Sequence, residues 1–572
     1  MRDFAKREDG TFTIFVVFLF VTMLLVTGTS VDMMNLERDR ANLQATLDRA
    51  VLAAADLDQR ETPKAVVEAY LEKAGMRDNL KDVRVNQTFG SKKVWATANV
   101  DVPTNFMKLA GIETLSAIAT SEAEESVEVV EISLVLDISG SMGWQSAEAG
   151  VSKIDVLKES ATKFVSLMLD KEEDTKISIS LIPYAAQVNA GEMMLGKFTN
   201  VSQEHNFSHC VNFTSNHFNN AKLRRGLQLD RAAHFDPFSY SEGTITSPVC
   251  PVRTGSAITP MTDNITKLHD RIDQLSPKGN TSIDVGMKWA VGLLDPTTRG
   301  VIRRLSTEND VQYPEVVLDE DGNPKLDGND NPITQPTKIV PARFNNRPLD
   351  YDADVAKVVI VMTDGENTTQ YMLDPSLRDG LSDVWYNPDS GRTTNWRYWI
   401  NTRNGGYWSS TRQTYGDYSV FRPDNDPDYY WTQRNDYRDH PYGNPDPETA
   451  SNEEQGTAVR LTYPELFNRT SLRWNADFNY GWKDDAYTDW VSNAYSGINA
   501  TDKDTRLKNV CDAAKKEGVV IFGIAFEAPT NGLEAIENCA SSSSHVYDVD
   551  GLELERAFAS IASSIRKLRL TQ

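Results

Sequence analysis

Glu131-Ile-Ser-Leu-Val-Leu-Asp137-Ile-Ser139-Gly-Ser141-Met-Gly143 runs from an apolar, β-branched segment into a loop with two glycines. Alternate apolar positions from Ile132 to Leu136 predict a buried strand, Gly140 and Gly143 a sharp turn, and a helical pattern begins near Ile154. In this strand-loop-helix unit Asp137, Ser139 and Ser141 occupy every second position. One carboxylate and two hydroxyls can therefore converge at the carboxyl end of the strand, where open α/β sheets bind ligands. Hard oxygen donors with no thiol or imidazole nearby suit Mg²⁺, Mn²⁺ or Ca²⁺ rather than zinc. A Ser/Gly-rich turn that merely caps the helix is the competing reading.

Two further segments bear on that choice. Gly279-Asn-Thr281-Ser-Ile-Asp-Val-Gly286-Met-Lys-Trp289 is a glycine turn running into an amphipathic helix, and Lys357-Val-Val-Ile-Val-Met-Thr-Asp364-Gly365 is an apolar strand ending in an acid. With Asp137-x-Ser139-x-Ser141-Met, these resemble the metal-ion-dependent adhesion site of a von Willebrand factor type A domain. The resemblance implies that Thr281 is the metal-binding threonine of that family. It also implies that Ser139, Ser141 and Thr281 are the direct ligands, with Asp137 and Asp364 acting largely through water.

A length of 572 residues suggests several domains, and 40% hydrophobic residues provide for a sizeable core. The formal charge of −23, with no basic run against it, argues against a partner made of nucleic acid. Gly10 to Val31 holds no charged residue over 22 positions, enough at about 1.5 Å per residue to cross a bilayer core of roughly 30 Å. The basic head Arg2, Lys6 and Arg7 also fits a cleaved signal peptide. An A-x-A site is missing, however, and the helical pattern continues through Leu36, Leu43, Leu47, Val51 and Ala54 without Gly or Pro until Pro63. We therefore expect an uncleaved membrane anchor with its amino end in the cytoplasm. Cys210, Cys250, Cys511 and Cys539 all lie in the part that this topology exports, which predicts two disulfides. Order along the chain favours Cys210–Cys250 and Cys511–Cys539 among three connectivities.

The expected organisation is an anchor and continuing helix over residues 1–60, a small α+β stalk over 61–128 and a doubly wound α/β domain over 129–572. In the stalk a short helix from Pro63 precedes strands near 83–89, 93–102 and 115–127, a pilin-like layout. The large domain alternates strands at 131–137, 177–182, 357–363, 519–526 and 545–549 with helices at 153–170, 282–294, 504–517 and 552–569. That alternation predicts a parallel sheet covered on both faces. Insertions at about 184–275, 296–354 and 371–500 separate these pieces. The second contains Asp-rich turns from Leu318 that suggest a calcium loop, but Pro324 stands where an EF-hand needs its turn glycine. The third holds 8 of the 11 Trp and 14 of the 20 Tyr and leaves the chain just after Asp364, which predicts a place over or beside the metal. Its rings suit either an adaptable or sugar-stacking surface or the insertion's own small core.

Asp32 through Ala55 with Arg40, Leu43, Gln44 and Asp48, the tract from Ile258-Thr-Pro-Met-Thr262 to Trp289-Ala-Val-Gly-Leu-Leu-Asp-Pro296, Thr363-Asp-Gly-Glu-Asn-Thr368, the stretch from Cys511-Asp-Ala-Ala-Lys to Phe526 and the terminal Leu554–Leu570 helix together resemble a TadG-like protein of the bacterial Tad (Flp) pilus machinery. Phe15 follows Gly10 where pseudopilin relatives carry Glu, so prepilin-peptidase processing is not implied. The resemblance implies a single-pass inner-membrane protein with its bulk in the periplasm or at the cell surface, acting in pilus assembly, anchoring or adhesion. Its partners would be pilus assembly proteins or a surface ligand presenting a carboxylate, with the membrane held through the N-terminal helix. A surface adhesin not tied to a pilus, and a scaffold with a non-essential metal site, are the alternatives. An enzyme is disfavoured: no candidate base or nucleophile accompanies the oxygen ligands, and the His205/His209 pair lacks the Glu of H-E-x-x-H.

Overall fold

The computed structural model describes residues 9–571 apart from 57, 58, 60, 88–90, 127–128, 148–149, 170–175, 318–323, 328–330, 354, 403–404, 424 and 445–453. The calcium-loop-like stretch from Leu318 lies largely outside the described residues. The chain divides into two compact units, Met1–Glu128 and Val129–Gln572.

In the first unit, α1 (Asp9–Ala55) is one uninterrupted helix of 47 residues, about 70 Å long at 1.5 Å per residue. Its N-terminal part exposes Phe12, Ile14, Phe15, Phe18 and Phe20, and residues from Phe12 onward are apolar enough to cross a membrane. Its C-terminal part buries Leu43, Leu47, Ala50, Val51 and Ala54, one face repeating every three or four residues. That face packs on α2 (Pro63–Lys73) and on an antiparallel sheet of β1 (Leu80–Gln87), β2 (Ser91–Pro103) and β3 (Thr114–Ser126). Thr62 starts α2 by accepting the Ala65 N–H on its hydroxyl, and Pro63 occupies the first turn, where no N–H is needed. The break expected near residue 60 does not separate two cores. Val66, Val67, Leu71, Val94, Ala96 and Ala119 close over the same face of α1.

The second unit is built on a six-stranded sheet. Its strands are β4 (Val129–Asp137), β5 (Ile177–Tyr184), β6 (Thr259–Thr262), β7 (Val355–Thr363), β8 (Val520–Phe526) and β9 (Val546–Val549). Their order is β9-β8-β7-β4-β5-β6, with all neighbours parallel except the β5–β6 pair. Period-two alternation sends Ile132, Leu134 and Leu136 to one face, under α3 (Lys153–Leu169), α4 (Ile265–Asp273) and α8 (Glu553–Thr571). Val135, Val359 and Val361 face α5 (Ile283–Leu294), α6 (Ala500–Lys516) and α7 (Thr530–Cys539). Both faces are covered, as a parallel sheet requires.

One expected boundary is corrected. The first insertion does not run to residue 275, because β6 and α4 belong to the core. β6 is a four-residue strand, Thr-Pro-Met-Thr, antiparallel on the sheet edge. Pro260 cannot donate to a ladder and is tolerated only at such an edge, so the segment carries no strand periodicity. The third insertion folds as a five-stranded antiparallel sheet, with Gln370–Leu373 pairing with Tyr495–Ile498 where it leaves and rejoins the chain. Tyr418, Trp474, Tyr480 and Trp490 are buried in its core with Leu466 and Phe467, joined by Phe235 and Val249 from the first insertion. These rings therefore build a core that two insertions share.

Both expected disulfides are present, Cys210–Cys250 and Cys511–Cys539. The second ties α6 to α7 across a separation of 28 residues. In the chain-entropy account this constrains the unfolded chain by roughly 3–4 kcal/mol. A Cys511→Ala/Cys539→Ala variant should lose that much in urea unfolding, and a loss below about 1 kcal/mol would show that α7 is held by packing alone.

Candidate metal centre

β4 and β7 are sheet neighbours, so Asp137 at the end of one and Asp364 just beyond the other reach the same carboxyl edge. Asp137 is fully buried. Its Oδ1 accepts the Ser139 N–H at 2.7 Å, and its Oδ2 accepts the hydroxyls of Thr363 at 2.8 Å and Tyr184 at 3.3 Å. The carboxylate thus braces the loop that follows. Ser139 and Ser141 turn their hydroxyls to within 3.1 Å of each other, and Ser141 donates to Asp364 Oδ1 at 2.7 Å. Thr281 arrives from a third loop. A Cβ placed on Gly365 would lie 3.7 Å from both Ser141 Oγ and Thr281 Oγ1, so the two hydroxyls flank the same glycine.

The two serine- and threonine-bearing loops are fastened through backbone. Gly140 N–H donates to Gly279 O at 2.8 Å and Lys278 N–H to Ile138 O at 2.9 Å. A Cβ on Gly140 would stand 3.3 Å from Gly279 O, which explains the glycine. Arg253 bridges both loops, donating to Ile138 O at 2.9 Å and Lys278 O at 3.0 Å. From α6 the buried Lys503 ammonium donates to Thr281 O (2.6 Å), Ser282 Oγ (2.7 Å) and Thr368 O (2.6 Å).

Burial and the facing Asp364 carboxylate push the Asp137 carboxyl up to about 7. Burial raises the Asp364 carboxyl too, against the pull of Ser141 and Lys153. Lys153, at the start of α3, stands 3.2 Å from Asp364 Oδ2, close enough for ionic attraction, although that oxygen receives no aligned hydrogen bond. The Lys153 ammonium also donates to the backbone oxygen of Glu527 at 3.2 Å. Glu527 holds a φ of +50°, a left-handed conformation unusual for a non-glycine residue. Its carboxylate compensates by accepting the Ser146 hydroxyl at 2.6 Å and the backbone N–H groups of Ala147 and Gly551.

All five residues expected as ligands therefore form one cluster. Among the described residues no group of three His, Cys, Asp or Glu side chains is placed to hold an ion, so the donor set is hydroxyls flanked by two acids. Such a set fits a hard divalent ion, and Asp364 Oδ2 still has acceptor capacity. Sequence reasoning missed Thr363, Tyr184, Lys153, Lys503 and Glu527. Thr363 and Tyr184 could have been found as polar residues closing apolar strands. Nothing local marks Lys503, which lies more than 200 residues from the loop it holds. Trp144, beside the serine loop, is 68% exposed although its backbone is fixed to Ser141 O and Lys153 N.

Strand order and two helix layers define a doubly wound α/β fold, with this loop set at the carboxyl edge of its sheet. Residues 10–57 match the family model described as putative Flp pilus-assembly TadE/G-like, so the N-terminal segment is TadE/G-like. No curated protein matches the chain. Among solved structures, the von Willebrand factor domain of the type V pili tip protein Mfa5 from Porphyromonas gingivalis is 13% identical with a TM-score of 0.30, covering 77% of this chain and 97% of its own. The pilus adhesin SpaC from Lactobacillus rhamnosus GG is 10% identical, TM-score 0.27, over 85% of this chain and 33% of its own. The PilB minor pilin from Streptococcus sanguinis is 9% identical, TM-score 0.27, over 86% and 78%. These overlaps are partial, and the fold assignment rests on the strand order.

Proposed function

We propose that this protein is a membrane-anchored, exported component of a Tad/Flp pilus assembly system that binds partners through a divalent ion, Mg²⁺ or alternatively Mn²⁺ or Ca²⁺. The observation that carries this is the meeting of three neutral hydroxyls, Ser139, Ser141 and Thr281, with only two acids behind them. Those hydroxyls would hold the ion, with Asp137 fixing the loop through the Ser139 N–H and Asp364 accepting the Ser141 hydroxyl. An ion in such a set keeps most of its positive charge and attracts a carboxylate from outside. The TadE/G-like segment at residues 10–57 supports pilus components as the source of that carboxylate. The apolar start of α1 supports the anchor, which would place the disulfide-bonded unit in an oxidising compartment. The role is binding rather than catalysis. A second reading, a scaffold that needs no ion, is favoured by Lys153, which already sets a positive charge against Asp364.

Calorimetric titration of Mg²⁺ and Mn²⁺ into Val129–Gln572, followed by capture of pilus components with and without EDTA, decides between them. Uptake at or below millimolar concentration and EDTA-sensitive capture support the adhesion reading. No uptake, or capture indifferent to EDTA, supports the scaffold. Trp144→Ala should leave ion uptake unchanged and weaken capture on the order of tenfold or more, as loss of an interface aromatic does.

A further inference from the structure

We propose that residues 104–112 form a ledge that rests in the lipid interface beside α1. The proposal rests on the reading of α1 as a membrane anchor. The uncharged run of α1 ends at Val31, and the next residue, Asp32, is an acid only 2% exposed. Its carboxylate accepts three consecutive backbone N–H groups, from Asn105 at 3.0 Å, Phe106 at 2.9 Å and Met107 at 2.7 Å. These N–H groups lie at the start of the turn Met107–Ala110, so the acid is satisfied by protein at the point where the helix would leave the hydrocarbon.

The same loop reaches further back. A Cβ on Gly28 would lie 2.4–2.6 Å from Phe106 side-chain carbons, so the ring sits directly on that glycine. Gly28 is four residues inside Asp32, about 6 Å along the helix and within the uncharged run. The loop is thus tied to α1 at the depth of the bilayer boundary. It is closed by Thr104, whose N–H donates to Glu113 O at 2.9 Å, and turned by Gly111 at φ +83°.

What the ledge presents fits lipid. Residues 104–112 contain no acid and one base, Lys108. Leu109 is 79% exposed and Ile112 41% exposed, while Met107 is half-buried. Exposed apolar side chains beside a single lysine match the boundary between acyl chains and phosphates, where the lysine stem lies in the apolar layer and its ammonium meets the headgroups. Continuity with the exposed apolar face of Phe12 to Val26 on the same helix selects lipid over a soluble partner.

The test uses the full-length protein in phosphatidylcholine/phosphatidylglycerol vesicles containing lipids brominated on the acyl chain. All four native cysteines are paired, so one added thiol takes the only fluorophore. Labels go at Leu109→Cys, at Phe18→Cys within the span, and at Asp78→Cys beyond α2. We expect at least twofold quenching by bromolipid at positions 18 and 109 and none at 78. Adding Asp32→Ala should release the ledge, abolishing quenching at 109 and leaving it at 18. Quenching at 18 with none at 109, and free access of iodide to 109, would overturn the ledge while sparing the anchor. Shielding of 109 from both quenchers would overturn it in favour of a second copy of the chain. Absence of quenching at 18 and 109 alike would overturn the anchor and the ledge with it.

Discussion

Asp137→Ala should abolish Mg²⁺ and Mn²⁺ uptake by Val129–Gln572, and with it EDTA-sensitive capture of partners, while the domain stays folded. The carboxylate holds Ser139, whose hydroxyl meets that of Ser141 at 3.1 Å, through its N–H, so its loss removes negative charge from the site and frees the loop together. The donors it leaves have other acceptors within reach. Tyr184 keeps Met362 O at 3.1 Å, and Thr363 keeps Gly365 O at 3.2 Å. The metal-free fold should not suffer, because the buried charge is itself unfavourable. The folded Asp137 carboxyl keeps its proton up to about pH 7, whereas an ordinary aspartate releases it near 3.8. Its contribution to stability is therefore fully present below about pH 4 and is lost as pH rises through 7. A divalent ion opposes that loss. In thermal melts Mg²⁺ should raise the midpoint more at pH 8 than at pH 5, and Asp137→Ala should erase the difference. Thr281→Ala removes one neutral donor and should weaken uptake more mildly. Equal uptake by wild type and Asp137→Ala would end the adhesion-site account.

Glu131→Ala should destabilise the same unit by about 3–5 kcal/mol in urea unfolding at pH 7, an effect that arises far from the ligand loops. Glu131 and Lys357 face each other across the β4–β7 register, with Lys357 Nζ 2.6 Å from Glu131 Oε2 and both side chains almost wholly buried. The lysine also donates to Leu294 O at 2.9 Å, and Glu131 Oε1 accepts the Leu349 N–H at 2.9 Å. Removing the acid strands an ammonium and an amide in the core at once. Replacing both, as Glu131→Leu/Lys357→Met, should recover most of the loss, since a buried pair gains little over well-packed apolar groups. A single variant that loses less than about 1 kcal/mol would mean that water reaches the pair.

Much of the fold and the centre of the candidate site are legible in the amino-acid sequence because local chemistry decides them. Apolar alternation in 131–137 and the continuous apolar run of 357–363 read as buried strands, and their alternation with the helical spacing after Ile154 and Thr281 gave a parallel sheet covered on both faces. The long apolar run from residue 10 into an unbroken helical pattern made α1 readable to within a few residues of Ala55. Asp137, Ser139 and Ser141 were legible because their spacing on one loop is itself the signal. Tertiary structure decided the rest. β6 joined the core through a register that its four residues do not encode, and the aromatic insertion found part of its core in another insertion. Lys503 and Lys153 reach the candidate site from helices whose local pattern says only amphipathic, because charge compensation in a low-dielectric interior depends on distance in space and not along the chain.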